Sequence, residues 1–402
     1  MTLLLMLCFL SPFFSAGAQT ADPYHMDYST SEPLEYDDSD QQPQNNGKAE
    51  TLDLGDKLDD QDDNVRRTPT GFINTGYTFF PIYERVDAST TAGGLDFAYY
   101  FRRQGEDPKS VPNSIRALFT AGQNQYVNTG ISFDNYWNDG YHNIFAFLGY
   151  LRRPANFYQI AATDPQLLGT YRATDVNFNI LYRQKVFDDT YLGAIYDYES
   201  DNIGLRVPSN VFNDKVFPGL TGSISSGFGV VFGNMPNVSI FSPHTSFAYE
   251  ITNILYLSAF GSTSDFGKHT FDVREYVGLF PNHLIALQLY MNFLSGTPTY
   301  SQLSSVGDIF RAYYHDKYLD YHVITIRGEY RWTLFDRFML TAFLGAGYHS
   351  SALSKFRLNN YLPSYGAGFR YLLSEELNSF VRLEYFEGRG SRGFMLGLGD
   401  DF

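Results

Sequence analysis

Cysteine is almost missing from this sequence: among 402 residues there is only Cys8. It lies within Met1 to Ala18, a short apolar stretch ending Ala16-Gly17-Ala18 that reads as a secretory signal peptide, residues 1–18, with a small-residue cleavage site. A chain trimmed there would carry no thiol, which excludes disulfide stapling and thiol chemistry. Tryptophan is scarce, with only Trp137 and Trp332, and charged residues make up 18%, low for a soluble domain. Beyond the N-terminus no run of about 18 apolar residues occurs, so no transmembrane helix is expected. Basic residues never cluster and the net charge is −15, so nucleic acid is not an expected partner. No lipase-type G-x-S-x-G is present, and His244, His315, His322 and His349 show no ligand spacing. Neither a catalytic residue nor a metal or cofactor is therefore expected.

What is abundant is aromatic and small: 32 Tyr, 36 Phe and 35 Gly. Many apolar residues recur at every second position. In 282–294, Ile285, Leu287, Leu289, Met291 and Phe293 share one face, while Ala286, Gln288, Tyr290 and Asn292 share the other. In 321–332, Ile324, Ile326, Tyr330 and Trp332 oppose Thr325, Arg327, Glu329 and Arg331. Strands with one apolar and one polar face, each long enough to cross a bilayer, fit a membrane barrel with lipid outside and a polar lumen inside. The expected fold is all-β: a transmembrane antiparallel β-barrel of about 16 strands at 71–402, preceded by a disordered acidic periplasmic segment at 19–70.

That acidic segment holds 14 acidic and 4 basic residues between Ala21 and Arg67, including Asp37-Asp38, Asp59-Asp60 and Asp62-Asp63. It has too little apolar surface to offset its chain entropy and reads as a solvated tether. Expected strands are 71–81, 92–102, 114–122, 125–137, 141–151, 172–185, 190–200, 222–233, 244–259, 267–279, 282–294, 321–332, 336–348, 363–373, 378–387 and 391–402. With both ends on one side, the links 152–171, 201–221, 295–320 and 349–362 are the long ones and face outward. Short links such as Asn138-Asp139-Gly140 and Phe280-Pro281-Asn282 face inward, with 103–113 and 234–243 as exceptions. Both tryptophans then fall at the inner interface. On the last strand Phe394, Leu396 and Leu398 share a face, Asp400 interrupts it, and the chain stops on Phe402.

Residues 279–402 resemble the barrel of the bacterial surface antigen, or BamA/TamA, superfamily. The matching pieces are the strand from His283 to Asn292, a long loop with Gly307-Asp308-Ile309-Phe310-Arg311-Ala312-Tyr313-Tyr314, and the strand Ile326 to Arg331. Phe343 to Gly347, Tyr365 to Arg370, Phe380 to Glu384 and the closing strand follow in order. A second, shorter match is Asn156 to Ile160 followed by Tyr191 to Tyr196. The resemblance implies that the loop folds into the lumen and that Arg311 is anchored by a carboxylate on a neighbouring strand. Strand counting puts Arg311 in the corresponding loop. The chain departs from the motif at Ala312, where the family has glycine, and at Gly345, where it has aspartate. Glu329 is the substitute partner for Arg311. Arg327, Arg331, Arg382 and Glu384 read as further lumen charges that satisfy one another. The resemblance implies an outer-membrane location and a role in inserting or translocating protein or lipid. Residues 19–70 are too short and polar for even one of the soluble periplasmic (POTRA) modules of insertase members, so a barrel-only member is expected. Outer-membrane lipid, and periplasmic or outer-membrane proteins, would be its partners. A passive pore, or a surface adhesion or structural barrel, are the alternative readings.

Overall fold

A computed structural model describes residues 72–398, apart from 86–89, 104–111, 139, 188, 235–245, 311, 336, 358–359 and 375–378. The expected signal peptide, the acidic segment, Asp400 and Phe402 lie outside the described residues, as does Arg311. Among the described residues, sixteen strands close into one antiparallel barrel. In chain order they are β1 (Phe72–Arg85), β2 (Thr91–Arg103), β3 (Asn113–Gly122), β4 (Val127–Trp137), β5 (His142–Tyr158), β6 (Leu167–Phe187), β7 (Thr190–Val207) and β8 (Gly222–Asn234). β9 (Ser246–Tyr256), β10 (Phe266–Phe280) and β11 (His283–Gly296) follow. The short β12 (Ser304–Ser305) and β13 (Leu319–Asp320) pair with each other as a separate two-stranded sheet. The wall resumes with β14 (His322–Phe335), β15 (Phe338–Ser350), β16 (Leu362–Ser374), β17 (Ser379–Gly388) and β18 (Ser391–Leu398). Each wall strand pairs with the next, and β1 meets β18.

The wall inverts the soluble pattern. Large apolar side chains are exposed around its circumference: Phe119, Ile131, Leu148, Phe228, Leu255, Ile326, Leu344 and Phe394 among them. Polar side chains are buried inside, including Asp96, Asn128, Asn143, Thr252, Gln288, Asn292, Thr325 and Glu384. Each exposed Leu, Ile or Phe would cost about 1.5–3 kcal/mol in water relative to an apolar medium. A continuous belt of them far exceeds what a water-soluble surface carries. Hydrocarbon is the solvent this face is built for, and closure leaves no unpaired edge within it.

The short links lie at one rim. Tyr141 N donates to Asn138 O in the β4–β5 turn, and Asn282, at positive φ, turns β10 into β11. Both tryptophans sit at this rim. Trp137 stacks on His142, and His283 stacks between Tyr330 and Trp332. Rings with an apolar body and a polar edge suit the headgroup level.

At the opposite rim β5, β6 and β7 run well past the expected ends at 151, 172 and 200, pairing with one another up to Tyr158 opposite Leu167 and Thr170 opposite Val207. The expected outward link 152–171 is therefore largely strand. The projecting sheet carries a small apolar core of its own, with Phe157, Tyr171, Ile203, Phe212, Leu220 and Tyr300 packed together. This core caps the barrel at the long-loop end.

Candidate functional site

The segment 297–321, between β11 and β14, drops into the lumen. Gly296, at φ +76°, makes the turn that starts it; a β-carbon there would meet the Asp265 carbonyl. Tyr300 N then donates 2.8 Å to Pro218 O and joins the cap. Below it, Lys268 Nζ donates 2.6 Å to Gln302 Oε1, and Gln302 Nε2 donates 2.8 Å to Glu199 Oε2. Lys268 and Gln302 are fully buried. Ser305 and Asp308 close a reciprocal cap on the next turn: Gly307 N donates to Ser305 Oγ and Ser305 N donates to Asp308 Oδ2.

The tip of this segment is a knob set into glycine sockets on β15 and β17. A β-carbon on Gly345 would come within 2.7 Å of the Phe310 ring, and one on Gly347 within 2.5 Å of Val306. One on Gly388 would crowd Tyr313 and Ala312. Three residues without side chains thus admit Val306, Phe310, Ala312 and Tyr313, all buried. Tyr313 OH donates 2.5 Å to Pro363 O and accepts from Arg389 N at 2.9 Å. On the far side Asp316 accepts from Arg153 Nη1 at 2.7 Å and from Asn156 N at 3.1 Å. His349 Nδ1 meets Asp320 at 3.0 Å, and His315 Nδ1 is bonded to Asp308. Partial burial pulls the His315 pKa down, but the Asp308 carboxylate outweighs it and the net shift is upward.

Beneath the knob lies a charge network in the half of the lumen nearer the short links. Arg331 Nε donates 2.7 Å to Glu329 Oε1, and Arg370 Nη2 donates 2.9 Å to Glu329 Oε2. Arg370 also reaches Glu384 at 3.4 Å, while Arg382 stands 4.0 Å from Glu384. Arg331 and Arg370 lie over the rings of Tyr276 and Phe380. Arg327 donates to Gln288, Gln288 donates to Asp272, and Arg274 pairs with Asp272 at 2.7 Å.

The expected lumen charges Arg327, Glu329, Arg331, Arg382 and Glu384 do face inward, and Glu329, Arg331, Arg382 and Glu384 come together. The structure buries Phe310, Ala312 and Tyr313 together in the knob. The expected pairing of Glu329 with Arg311 falls on a residue outside the described set; the described partners of Glu329 are Arg331 and Arg370. Phe310 reaches this neighbourhood, since it shares with Arg327, Glu329, Phe343 and Gly345 a cavity of about 20 Å³, room for one water. Sequence reasoning missed Arg370 as a lumen charge. The signal was there: Ser364, Gly366, Gly368 and Arg370 alternate with the exposed Tyr365 and Phe369. It also missed Lys268, Gln302 and the Asp316–Arg153 tie, whose partners are far apart in the chain.

The barrel closes where β1 meets β18. Among the described residues, β1 and β18 are in register at Tyr83 opposite Leu396. β1 pairs with β2 from Phe72–Arg103 to Arg85–Thr91, and residues 399–402, which follow β18, lie outside the described residues. Phe394 points outward and is exposed, as expected of the terminal strand; Leu398 pairs with Val381.

No family model matches this sequence, and neither does any curated protein. Among solved structures the chain is similar to BamA from Haemophilus ducreyi lacking POTRA domains 1–3, at 10% identity and TM-score 0.51, over 82% of this chain and 69% of that one. The ferric citrate transporter FecA in the unliganded form aligns at 10% identity over 80% of this chain and 52% of that one, with a TM-score of 0.29. At this identity the first likeness is one of fold: a large antiparallel barrel of the outer-membrane type.

Proposed function

We propose that this chain is an outer-membrane protein of the BamA/TamA type that acts on the bilayer beside its seam, in the placement of protein or lipid. The observation that carries the reading is the β1–β18 junction, in register at Tyr83 and Leu396, where the first and last strands of the wall meet with no connecting link between them. Two neighbouring strands with no link between them can separate without breaking a turn. Gly393 brings no side chain to β18. The lumen argues in the same direction, because a passive pore needs an open path. Here the segment 297–321 and buried ion pairs occupy the lumen. Outer-membrane lipid and a protein or lipid client are then the partners.

A disulfide across the seam tests this. Tyr83→Cys with Leu396→Cys should, when oxidised in cells, reproduce the envelope phenotype of deleting the gene. The same pair reduced, and a control pair at Tyr385 and Phe394 across β17–β18, should behave as wild type. A locked seam with full cellular function would refute lateral action.

A further inference from the structure

We propose that the outward face of β5 and β6 binds the phosphate of a membrane lipid at the long-loop end, through Arg152 and Arg172. On β5 the outward row climbs from His142 past the exposed Leu148 to Arg152. On β6 it climbs from Tyr182 past the exposed Phe178 and Val176 to Arg172. His142 and Tyr182 stack on each other at the short-link rim. Each arginine stands ten residues from that rim. Ten residues make about 33 Å of strand, or roughly 25 Å of height at the usual barrel tilt of about 40°, which is the height of the apolar band. Both guanidinium groups therefore lie at the opposite headgroup level, at the root of the projecting sheet.

The register sets the two side by side. Arg152 is opposite Thr174 and Arg172 is opposite Pro154, so they are diagonal neighbours in the ladder. Such neighbours stand about 7–8 Å apart, and like charges at close range in a ladder destabilise it. Among the described residues neither arginine has a carboxylate partner. Arg152 donates 2.9 Å to the neutral Gln125 Oε1, and no hydrogen bond or ion pair holds the Arg172 side chain. The nearby carboxylates Asp175 and Asp201, opposite each other on β6 and β7, face the lumen. Arg153 also faces inward, where Asp316 pairs with it. Arg392, also near the long-loop rim, is directly opposite Glu387. The pair on β5 and β6 lacks such a neighbour. Pro154 and Gly204 flank Arg172, so no long side chain crosses its sides. A phosphate between the two guanidinium groups replaces their repulsion with charge-assisted, forked hydrogen bonds. Acyl chains attached to it run down Leu148, Val176 and Phe178 into the apolar band. An acylated phosphate thus fits both halves of the site, whereas free phosphate fits only the upper half. A lipid held here fixes the depth at which the projecting sheet leaves the bilayer. This inference goes beyond lateral action at the seam and holds whether or not the seam opens.

Native mass spectrometry of the full-length protein, released from detergent micelles, tests it. The probe is dilauroyl phosphatidic acid, and the control is dilauroylglycerol, which keeps the chains and lacks the phosphate. Wild type should retain the phosphatidic acid roughly fivefold more than the control, the effect expected of one interfacial arginine or more. Arg152→Gln combined with Arg172→Gln, checked for folding by its heat-modifiable gel band, should abolish that preference, and Arg392→Gln should keep it. A preference that survives the double substitution, or equal retention of the two probes by wild type, would overturn the proposal. Inorganic phosphate at the same concentration should leave the bound lipid in place; displacement by it would mark a free-anion site and overturn the assignment to lipid. Should the double variant not fold, a phosphatidic acid with a diazirine close to its glycerol decides the matter in wild type. Its crosslinks should concentrate on β5 and β6, and an even spread around the wall would contradict the proposal. A seam-locked protein should bind the probe as the unlocked one does, which separates this test from the test of lateral action.

Discussion

At the scale of single residues, the lumen is held by contacts that tolerate little change. Gly345 and Gly347 exist as sockets for Phe310 and Val306. Gly345→Val should therefore force the knob out or strain β15, destabilising the barrel by about 1–3 kcal/mol as an overpacked site. The measurement is the temperature at which the folded band is lost on semi-native gels; an unchanged temperature would refute the socket. Glu329 bridges Arg331 and Arg370, all at most 1% exposed. Glu329→Leu removes the carboxylate that two buried guanidinium groups share and should cost about 3–5 kcal/mol, whereas removing one partner with Arg331→Met should cost less because Arg370 still holds the carboxylate. Urea unfolding in lipid vesicles reads both. His315 supplies a pH effect. Its pKa is raised by Asp308 in the folded protein. Its stabilising contribution is therefore complete below the ordinary histidine pKa of about 6.5 and fades as pH climbs through the folded value. Protease cleavage within 297–321 should accelerate over that rise, and Asp308→Asn should remove the dependence.

At the scale of elements, much was legible in advance. All sixteen wall strands follow from period-two alternation, because each has one apolar and one polar face along its length. The ends of β5, β6 and β7 were not legible. Beyond the lipid band the outward face turns polar, as at Arg172 and Thr174, while Tyr171 and Ala173 are buried in the cap, so the apolar and polar faces exchange sides. The cap core should matter for the plug but not for the wall. Phe212→Ala, which removes a ring packed on Phe157 and Tyr171, should increase hydrogen exchange at 297–305 and leave β14–β17 unchanged. The interior of the segment 297–321 was the least legible part. Gln302 meets Glu199 and Asp316 meets Arg153, pairings that no local spacing encodes. The glycine sockets that receive Phe310 and Tyr313 carry no local signal either.

At the scale of the whole molecule, one physical fact organises the rest: the sequence buries its charges and displays its hydrocarbon. A closed wall with no free edge, aromatic rings at the short-link rim and a plugged polar interior follow from placing that cylinder in a bilayer. The most direct test is a spin-label scan along β15 from Phe338 to Leu344 in lipid vesicles. Oxygen accessibility should peak at Phe338, Leu340, Ala342 and Leu344 and dip at Met339, Thr341 and Phe343, with a water-soluble nickel complex excluded from the peak positions. A scan without the two-residue period, or with the nickel complex reaching Leu340 and Leu344 most readily, would contradict the account.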